Sequence, residues 1–570
     1  MNLDKPLSSS TTKHLLILSS FVAAVFGYLV AGAFVAIVFG VGWLVLVLIA
    51  LSNKDVVEAP VMDDPNQGGW ANAADVEAVG LFAEAGVPIG WFNGKRVRYQ
   101  GESHIVTIGL PRTGKGRDVI VPALAEYPGS CLVIDPKGEL AAMTSRFRSL
   151  DEDKGGFGHE VFIINPYNLH PKILNKKGSK VFNQATFNPL EKLNHEAPGF
   201  VGQVLNLAQS LVVATGGDKY FSDSARDLVA AMIMFVCKTL KPHEKNLAMV
   251  RSLLAQPYGK DANNQPTGLA AVLHGMAKSE FAPLRQLSSQ FIDFSSRDVP
   301  AIVRSAQQQL SFLDEPEIAT SLGGSSFHFS DMKRKPMTVY LVLPVEELAD
   351  KARWLRLLVA SAVSSIIRGH KGSRVLFLLD EFKLLGRLNV IADNLGAAGG
   401  LNLQFWPILQ NLGQLQTDYK NEWEGFLATA GAVQFLSIFD HTTATEVVKR
   451  AGQILKKKTS YSSRDVSERE RNEGISGDST STSDAWENLL SPSFLYGLPQ
   501  DEQIAFVPGS HKTFRLKRRP YWDIPEITGR VDDNPLHQEQ EEEEEEEEKK
   551  EEEKEKEEEE KGEQNESVAD

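Results

Sequence analysis

Eight consecutive residues, Gly109-Leu-Pro-Arg-Thr-Gly-Lys-Gly116, have the types and spacing of a loop that binds phosphate groups. An apolar run from His104 precedes them and another follows Asp118, which predicts a strand, a loop and the start of a helix. In the pattern G-x-x-x-x-G-K, backbone N–H groups surround a polyphosphate and the lysine reaches its β and γ oxygens. A glycine-rich turn with a chance lysine is the alternative. If a nucleotide binds here, we expect contacts from Gly109, Pro111, Arg112, Thr113, Gly114, Lys115, Gly116 and Arg117.

Two acids after a strongly apolar segment add the chemistry that this loop lacks. Gly116 stands where a Ser or Thr hydroxyl normally binds Mg²⁺, which removes one ligand of the metal. A carboxylate and water must therefore supply more of its ligands. The run that begins at Arg374 is typical of a buried parallel strand, and Asp380 and Glu381 follow it. We expect Asp380 to hold Mg²⁺ through water and Glu381 to polarise the attacking water. Acids that only open a loop are the alternative, but with Lys115 upstream the pattern predicts hydrolysis of a nucleoside triphosphate.

Polar residues at the ends of two further predicted strands are additional candidates. Gln410 ends the strand that begins at Leu403, where it can sense the γ-phosphate or orient water; a solvated amide is an equal alternative. Asp135 and Lys137 follow the apolar run that begins at Ser130. In an open parallel sheet this edge lies beside the ligand. An ordinary turn between a strand and a helix explains Asp135 and Lys137 equally well.

The elements that must position these residues are strands that alternate with helices in βαβ order, which predicts an α/β fold. Further apolar strands are expected from Glu160, Met337 and Ala432, and a helix from Trp354 to Arg368. Such an order implies a mostly parallel sheet with helices on both faces. Helical periodicity replaces the strand signal over 198–313, which predicts an inserted all-α unit. Asn-Gly at 93–94 predicts a hairpin at the edge of the sheet.

Residues 14–52 carry no formal charge, which predicts a membrane anchor. One helix of this length would be about 58 Å long, roughly twice the ~30 Å of a bilayer core. Two transmembrane helices fit better. A secretory signal is the alternative, but the stretch is too long and has no clear cleavage site. Lys5, Lys13 and Lys54 flank it, so we expect both ends of this hairpin in the cytoplasm.

The net charge of −15 belongs to the C-terminal tail. Residues 539–570 hold 20 acids and 5 lysines, and the other 538 residues carry 55 acids and 55 bases. The tail is expected to be a solvated helix or a disordered brush, which either docks a basic partner or a chaperone or only aids solubility. Cys131 and Cys237 lie in apolar runs and read as reduced core thiols, without a disulfide framework or a metal cluster.

Several motifs in order resemble the TraG/TraD-type coupling ATPases of type IV secretion. The resemblance covers roughly residues 14–525 and rests on the phosphate loop and on six further segments: Ile134-Asp-Pro-Lys-Gly-Glu-Leu, Asp218-Lys-Tyr-Phe-Ser-Asp-Ser-Ala-Arg, Lys335-Pro-Met-Thr-Val-Tyr-Leu, Leu379-Asp-Glu-Phe, Leu409-Gln-Asn-Leu-Gly-Gln-Leu and Leu498-Pro-Gln-Asp-Glu-Gln-Ile-Ala-Phe-Val-Pro-Gly. Gly116 is usual in this family.

The resemblance implies a multi-pass ATPase of the bacterial inner membrane, with most of the chain cytoplasmic. It implies a homo-hexamer with a RecA-like domain that binds ATP and Mg²⁺. It further implies that the ring passes relaxase-bound single-stranded DNA, effector proteins or both to a type IV secretion channel. The family often has a periplasmic segment between its membrane helices, and this sequence has almost none.

The expected boundaries follow from these patterns. They are a cytoplasmic N-terminus at 1–13, two transmembrane helices at 14–52, a connector with edge strands at 53–100, the nucleotide-binding domain at 101–197 and 314–530 with a mobile loop at 459–485, the all-α domain at 198–313, and the acidic tail at 531–570.

Two other functions remain open at this level. A membrane receptor that docks cargo and uses ATP only for assembly would have the same motifs. An FtsK- or HerA-like DNA pump is related in fold, but such a pump usually ends in a DNA-reading winged helix, where this chain has a glutamate run. Basic clusters that begin at Lys333, Lys456 and Lys517 are compatible with a DNA channel, but each is more simply a solvated face.

Overall fold

A computed structural model describes residues 68–213, 219–293, 297–369, 372–463 and 478–536. The predicted transmembrane helices at 14–52 and the glutamate run at 539–570 lie outside these ranges. Within the ranges, none of the helices combines the length and the apolar character that a bilayer crossing requires.

A twelve-stranded sheet with the order β2-β1-β16-β15-β12-β3-β11-β10-β4-β9-β5-β6 organises the described residues. Neighbours from β12 to β6 are parallel, and those from β2 to β12 are antiparallel. The predicted α/β fold with a mostly parallel sheet is confirmed. The strands are β1 Val87–Phe92, β2 Lys95–Tyr99, β3 Ile105–Gly109, β4 Ser130–Asp135, β5 Glu160–Ile164, β6 Val181–Asn183, β7 Tyr258–Lys260, β8 Pro266–Gly268, β9 Met337–Val342, β10 Val375–Leu379, β11 Leu403–Leu409, β12 Ala432–Ser437, β13 Gln453–Ser463, β14 Asp478–Asn488, β15 Glu502–Phe506 and β16 Phe514–Lys517.

Helices cover both faces of this sheet, which explains why its central strands are apolar throughout. All five residues of β10 are buried. Phe377 packs into the core on one face, and Leu376 and Leu378 pack into the core on the other. The helices are α1 Ala73–Ala78, α2 Val121–Glu126, α3 Glu139–Ser149, α4 Pro171–Leu174, α5 Phe200–Leu211, α6 Lys219–Thr239, α7 Leu247–Leu254, α8 Leu269–Ala277, α9 Ala282–Ser289, α10 Asp298–Gln309, α11 Pro316–Ser321, α12 Ala352–Arg368, α13 Asn389–Ala392, α14 Leu412–Tyr419, α15 Trp423–Ala428, α16 His441–Ala451 and α17 Pro492–Tyr496.

The hairpin predicted at Asn93-Gly94 joins β1 to β2 at one edge of the sheet. Both turn residues have positive φ, 48° and 80°. This is the conformation that makes Asn-Gly favourable in two-residue hairpin turns.

The segment expected to be all helical needs one correction. Helices α5 to α10 lie within 198–313, but β7 and β8 form a short antiparallel hairpin between α7 and α8. Its turn depends on Asp261, whose carboxylate accepts hydrogen bonds from the backbone amides of Asn263 and Gln265, each 2.8 Å long. Asn264 has a φ of 62°, so local turn chemistry overrides helical periodicity here.

The mobile loop expected at 459–485 also needs a correction at both ends. Strands β13 and β14 pair in antiparallel register, with Leu455 opposite Trp486 and Thr459 opposite Thr482. Threonine and aromatic residues favour strands, so polarity alone is a poor guide to a loop. Residues 464–477 lie outside the described ranges.

Candidate nucleotide-binding site

The carboxyl ends of four adjacent parallel strands place the predicted site residues at one edge of the sheet. Strand β3 lies beside β11, β11 beside β10, and β10 beside β4. The phosphate loop follows β3, Gln410 follows β11, Asp380 follows β10, and Asp135 ends β4. Residues separated by about 300 positions in the sequence therefore become neighbours because these strands are parallel and adjacent.

The phosphate loop is held by internal hydrogen bonds. Thr113 donates from Oγ1 to the Leu110 carbonyl over 2.7 Å, and Lys115 donates from Nζ to the Gly109 carbonyl over 3.0 Å. Gly114 has a φ of +84°, and a Cβ at this position would lie 2.4 Å from Asp118 Oδ2. The second glycine of the motif is therefore required both by its backbone conformation and by the side chain beside it.

The helix that follows the loop begins with a π-helical segment, Lys115–Ile120, and continues as α2. A Cβ at Gly116 would meet nothing within 4 Å. The space at this position is open, so packing does not explain why a glycine replaces the usual hydroxyl residue.

Asp380, Glu381 and Gln410 form a connected group across the ends of β10 and β11. Gln410 donates from Nε2 to Glu381 Oε2 over 3.3 Å, and the Glu381 amide donates to Asp380 Oδ1 over 3.0 Å. Glu381 has φ and ψ of 50° and 45°, a conformation that costs about 1–3 kcal/mol for a residue other than glycine. Such strain is typical of functional sites, and here it sets the direction in which the carboxylate extends.

The electrostatic surroundings of Asp380 are mixed. Burial and, to a smaller extent, the neighbouring Glu381 raise its pKa, the ammonium of Lys115 lowers it, and the net result is a pKa of about 6. A carboxylate that is costly to ionise gains most from a cation placed beside it. This arrangement favours metal binding at Asp380.

Asp135 lies at the end of β4 but does not line the cavity. Its side chain is fully buried, and Oδ2 accepts a hydrogen bond from the Ala141 amide over 2.8 Å, at the start of α3. Burial raises its pKa to about 7. Asp135 therefore stabilises the first turn of α3. Lys137, in contrast, lies on the cavity wall.

A cavity of about 650 Å³ lies at this edge of the sheet. The predicted residues on its wall are Pro111, Arg112, Gly114, Lys115, Gly116, Arg117, Lys137, Asp380, Glu381 and Gln410, whereas Gly109, Thr113 and Asp135 lie outside its lining. Another cavity, of about 710 Å³ beside β5 and β6, is lined by none of the predicted site residues. The cavity at the phosphate loop is therefore the candidate site.

Arg518 is a site residue that sequence reasoning missed. Its Nη1 donates to the Thr113 carbonyl over 2.5 Å and to Asp118 Oδ2 over 3.0 Å. The side chains of Arg518 and Asp118 are each only 1% exposed. Arg518 also donates to the carbonyls of Gln500 and Glu502. It thereby ties the end of β16 to the phosphate loop, and no local motif signals this role.

The remaining wall of the cavity was also missed. Its apolar side chains come from the start of α2, from the turns after β4, β9 and β10, from α3 and from the C-terminal segment. Their position depends on the fold rather than on a motif. The wall contains Val121, Pro136, Leu140, Met143, Val345, Leu348, Leu384, Tyr521 and Trp522, with Glu139 and Asn534 as its polar members.

The basic clusters take part in contacts within the chain. Lys335 pairs with Glu160, and Lys517 pairs with Asp501. Lys456 pairs with Glu487 over 3.1 Å on the exposed part of β13. Binding of DNA by these clusters stays a prediction.

Comparison with known proteins identifies the family. The family described as type IV secretory system conjugative DNA transfer matches residues 61–557. A VirD4 protein of Rhizobium radiobacter is 26% identical over 496 residues, which are 83% of this chain and 66% of that protein. A conjugal transfer protein TraG of Escherichia coli is 24% identical, over 61% of this chain and 58% of its own length. The chain thus spans about three-fifths of the length of these relatives.

Solved structures of the conjugative coupling protein TrwB share the fold. The unbound form of TrwBdeltaN70 has a TM-score of 0.54 at 15% identity, covering 79% of this chain and 92% of its own. A TrwB complex with ADP and Mg²⁺ has a TM-score of 0.52 at 14% identity, covering 80% and 94%. The predicted RecA-like fold and the resemblance to coupling proteins are confirmed.

Proposed function

The chain belongs to the type IV secretory system conjugative DNA transfer family, and we propose that it hydrolyses ATP to pass cargo into a secretion channel. One observation carries the proposal. Lys115, Asp380, Glu381 and Gln410 come from three strand ends and line one cavity at the carboxyl edge of the parallel sheet. This set contains a phosphate-binding cation, a metal-binding carboxylate and a pair that can hold water.

The phosphate loop and Lys115 bind the triphosphate in this proposal. The Lys115 ammonium donates to the Gly109 carbonyl, so it exchanges that contact for the β and γ oxygens when ATP binds. The amides at the start of the helix after Gly114 donate to the same oxygens. TrwB has been solved with ADP and Mg²⁺, with an ATP analogue and with a GTP analogue, which supports a nucleotide with bound magnesium as the ligand.

The donor set fits Mg²⁺ bound jointly by protein and nucleotide. No cluster of three or more His, Cys, Asp or Glu side chains suited to a metal ion occurs among the described residues, so no all-protein cage is available there. Mg²⁺ typically binds one or two carboxylates together with water and substrate phosphates. Asp380 would hold the Mg²⁺ ion, which would supply positive charge to neutralise the β and γ phosphates.

Glu381 and Gln410 act on the attacking water. The 3.3 Å hydrogen bond between them fixes the carboxylate and leaves it one oxygen for a water molecule. Glu381 orients and polarises that water, and Gln410 couples the position of the carboxylate to the end of β11. Positioning of this kind accounts for ~10²–10⁴-fold in rate.

The assembly and cargo complete the proposal. The charge-free stretch at 14–52 anchors the chain in the inner membrane as a hairpin, with most of the chain in the cytoplasm. The chain forms a homo-hexamer that delivers relaxase-bound single-stranded DNA, effector proteins or both to the channel. The family match and the conjugal transfer protein TraG support conjugative transfer as the process.

Binding and single-turnover hydrolysis of ATP test the enzymatic part. We expect Lys115→Ala to weaken ATP binding and to slow turnover, because its charge acts on the phosphates in both the ground state and the transition state. We expect Glu381→Gln to bind ATP normally and to slow the chemical step ~10²–10⁴-fold.

Two exposed positions outside the cavity lining provide matched controls, Lys457→Ala and Glu424→Gln. Both controls should hydrolyse ATP at the parental rate. Parental hydrolysis by Glu381→Gln would contradict the role assigned to Glu381. Parental binding and turnover by Lys115→Ala would contradict the site itself.

A further inference from the structure

The candidate site has an apolar part that a triphosphate does not use. Beyond the phosphate loop, its wall includes Val345, Leu348, Leu384, Tyr521 and Trp522. Phosphate oxygens need N–H donors and cations, and apolar side chains supply neither. This part of the cavity is therefore suited to a different portion of the ligand.

Trp522 is the most exposed aromatic residue of this wall, with 56% of its surface accessible. It lies in a short turn, Tyr521–Asp523, shortly after Pro520. The Tyr521 ring packs edge-on against the indole at a centroid distance of 4.9 Å. The Arg117 guanidinium lies over the same indole, 5.7 Å from the ring centroid. These two contacts orient a large aromatic surface that nevertheless remains accessible.

Arg117 links this ring directly to the phosphate loop. It is the second residue after Lys115, and it donates from Nε and Nη2 to Asp118 over 2.5 and 3.0 Å. Asp118 in turn accepts from the buried Arg518, four residues before Trp522. Arg117 and Asp118 thus connect the aromatic surface to the phosphate loop, so that one ligand can contact both.

We infer that Trp522 forms the base subsite, stacking on the nucleobase of the nucleotide whose phosphates bind at the loop. This inference rests on the proposed ATP-binding function and adds the residue that selects a nucleotide over a bare polyphosphate. Every base has a π face, so stacking can recognise a base without a specific set of hydrogen bonds to its edge. A purine, with two fused rings, covers the indole more fully than a pyrimidine.

Binding of MgATP and of magnesium tripolyphosphate to the full-length chain tests the inference. Trp522→Ala should raise the Kd for MgATP about 10-fold, since stacking of one base on an aromatic ring contributes a factor of about 5 to 150. It should leave the Kd for tripolyphosphate unchanged. Trp522→Phe should retain most of the ATP affinity. Trp486→Ala, at another exposed tryptophan, should change neither Kd.

Tryptophan fluorescence gives a second readout. The chain has eight tryptophans, and we expect MgATP but not tripolyphosphate to quench a component that Trp522→Phe removes. Equal loss of affinity for both ligands in Trp522→Ala would show that Trp522 only supports the loop through Arg117, and would overturn the inference. Unchanged affinity for both would also overturn it. If the parent chain bound neither ligand, the proposed ATP-binding function would fail. The behaviour of the parent therefore tests the proposed function, and the behaviour of the Trp522 variants tests the base subsite.

Discussion

The buried ion pair between Arg518 and Asp118 gives the sharpest prediction of stability. Arg518→Met keeps an unbranched side chain of similar length but removes every hydrogen bond that the guanidinium makes. The carbonyls of Thr113, Gln500 and Glu502 lose a donor, and Asp118 loses one of its two cationic partners.

The magnitude follows from these losses. Removal of one partner of a buried pair costs about 3–5 kcal/mol. Arg117 still pairs with Asp118, which places the expected cost near the lower limit, about 3 kcal/mol. ATP affinity should fall as well, because the loop around Thr113 is no longer held in place.

Urea unfolding of Arg518→Met beside Arg515→Met measures this cost. Arg515 lies on β16, which ends just before Arg518, and it pairs with Glu502. Its side chain is 43% exposed, so its loss should cost less than about 1 kcal/mol. Adding Asp118→Asn to Arg518→Met should recover part of the loss, since the buried charge is then removed. If Arg518→Met were no less stable than Arg515→Met, the Arg518 contacts would not support the loop as argued.

Three further predictions concern the loop, the core and the N-terminus. Gly114→Ala should abolish ATP binding, because its Cβ would lie 2.4 Å from Asp118 Oδ2. Gly116→Ala meets no protein atom within 4 Å and should be as stable as the parent; urea unfolding and calorimetric titration with ATP compare the two variants. The raised pKa of Asp135, about 7, means that the folded state binds more protons than the unfolded state between pH 4 and 7. Stability should therefore fall as pH rises through this window, and urea titrations at several pH values should show a smaller fall for Asp135→Asn; an identical pH profile would contradict this. Reporter fusions before and after residues 14–52 should both give cytoplasmic signals, and signals from opposite sides would refute the hairpin.

The sequence predicted which candidate residues meet at one edge of the sheet where the pattern is local. The phosphate loop follows one strand, and Asp380, Glu381 and Gln410 follow two others, so knowledge of a parallel sheet was enough to bring them together. The same reasoning places Lys137 at this edge, where it lines the cavity. Asp135 has the same relation to its strand, yet its carboxylate faces the start of α3, because the side-chain direction depends on where that helix begins.

The contributions of the C-terminal segment to the site were beyond sequence reasoning. Arg518 and Trp522 lie about 400 residues after the phosphate loop, and neither belongs to a pattern with known spacing. Their positions depend on the antiparallel extension β15 and β16, which brings the C-terminal segment back to the loop. Long-range contacts of this kind depend on the whole topology, which local periodicity does not encode.

Cargo transfer by a chain that binds ATP but does not hydrolyse it tests the central claim most directly. We predict that Glu381→Gln, expressed in place of the parent in cells that support conjugation or effector delivery, binds ATP and transfers no DNA or protein above background. The exposed Glu424→Gln control should transfer at the parental rate. Parental transfer by Glu381→Gln, with its hydrolysis shown to be lost, would contradict the claim that hydrolysis drives transfer and would identify the protein as a docking receptor.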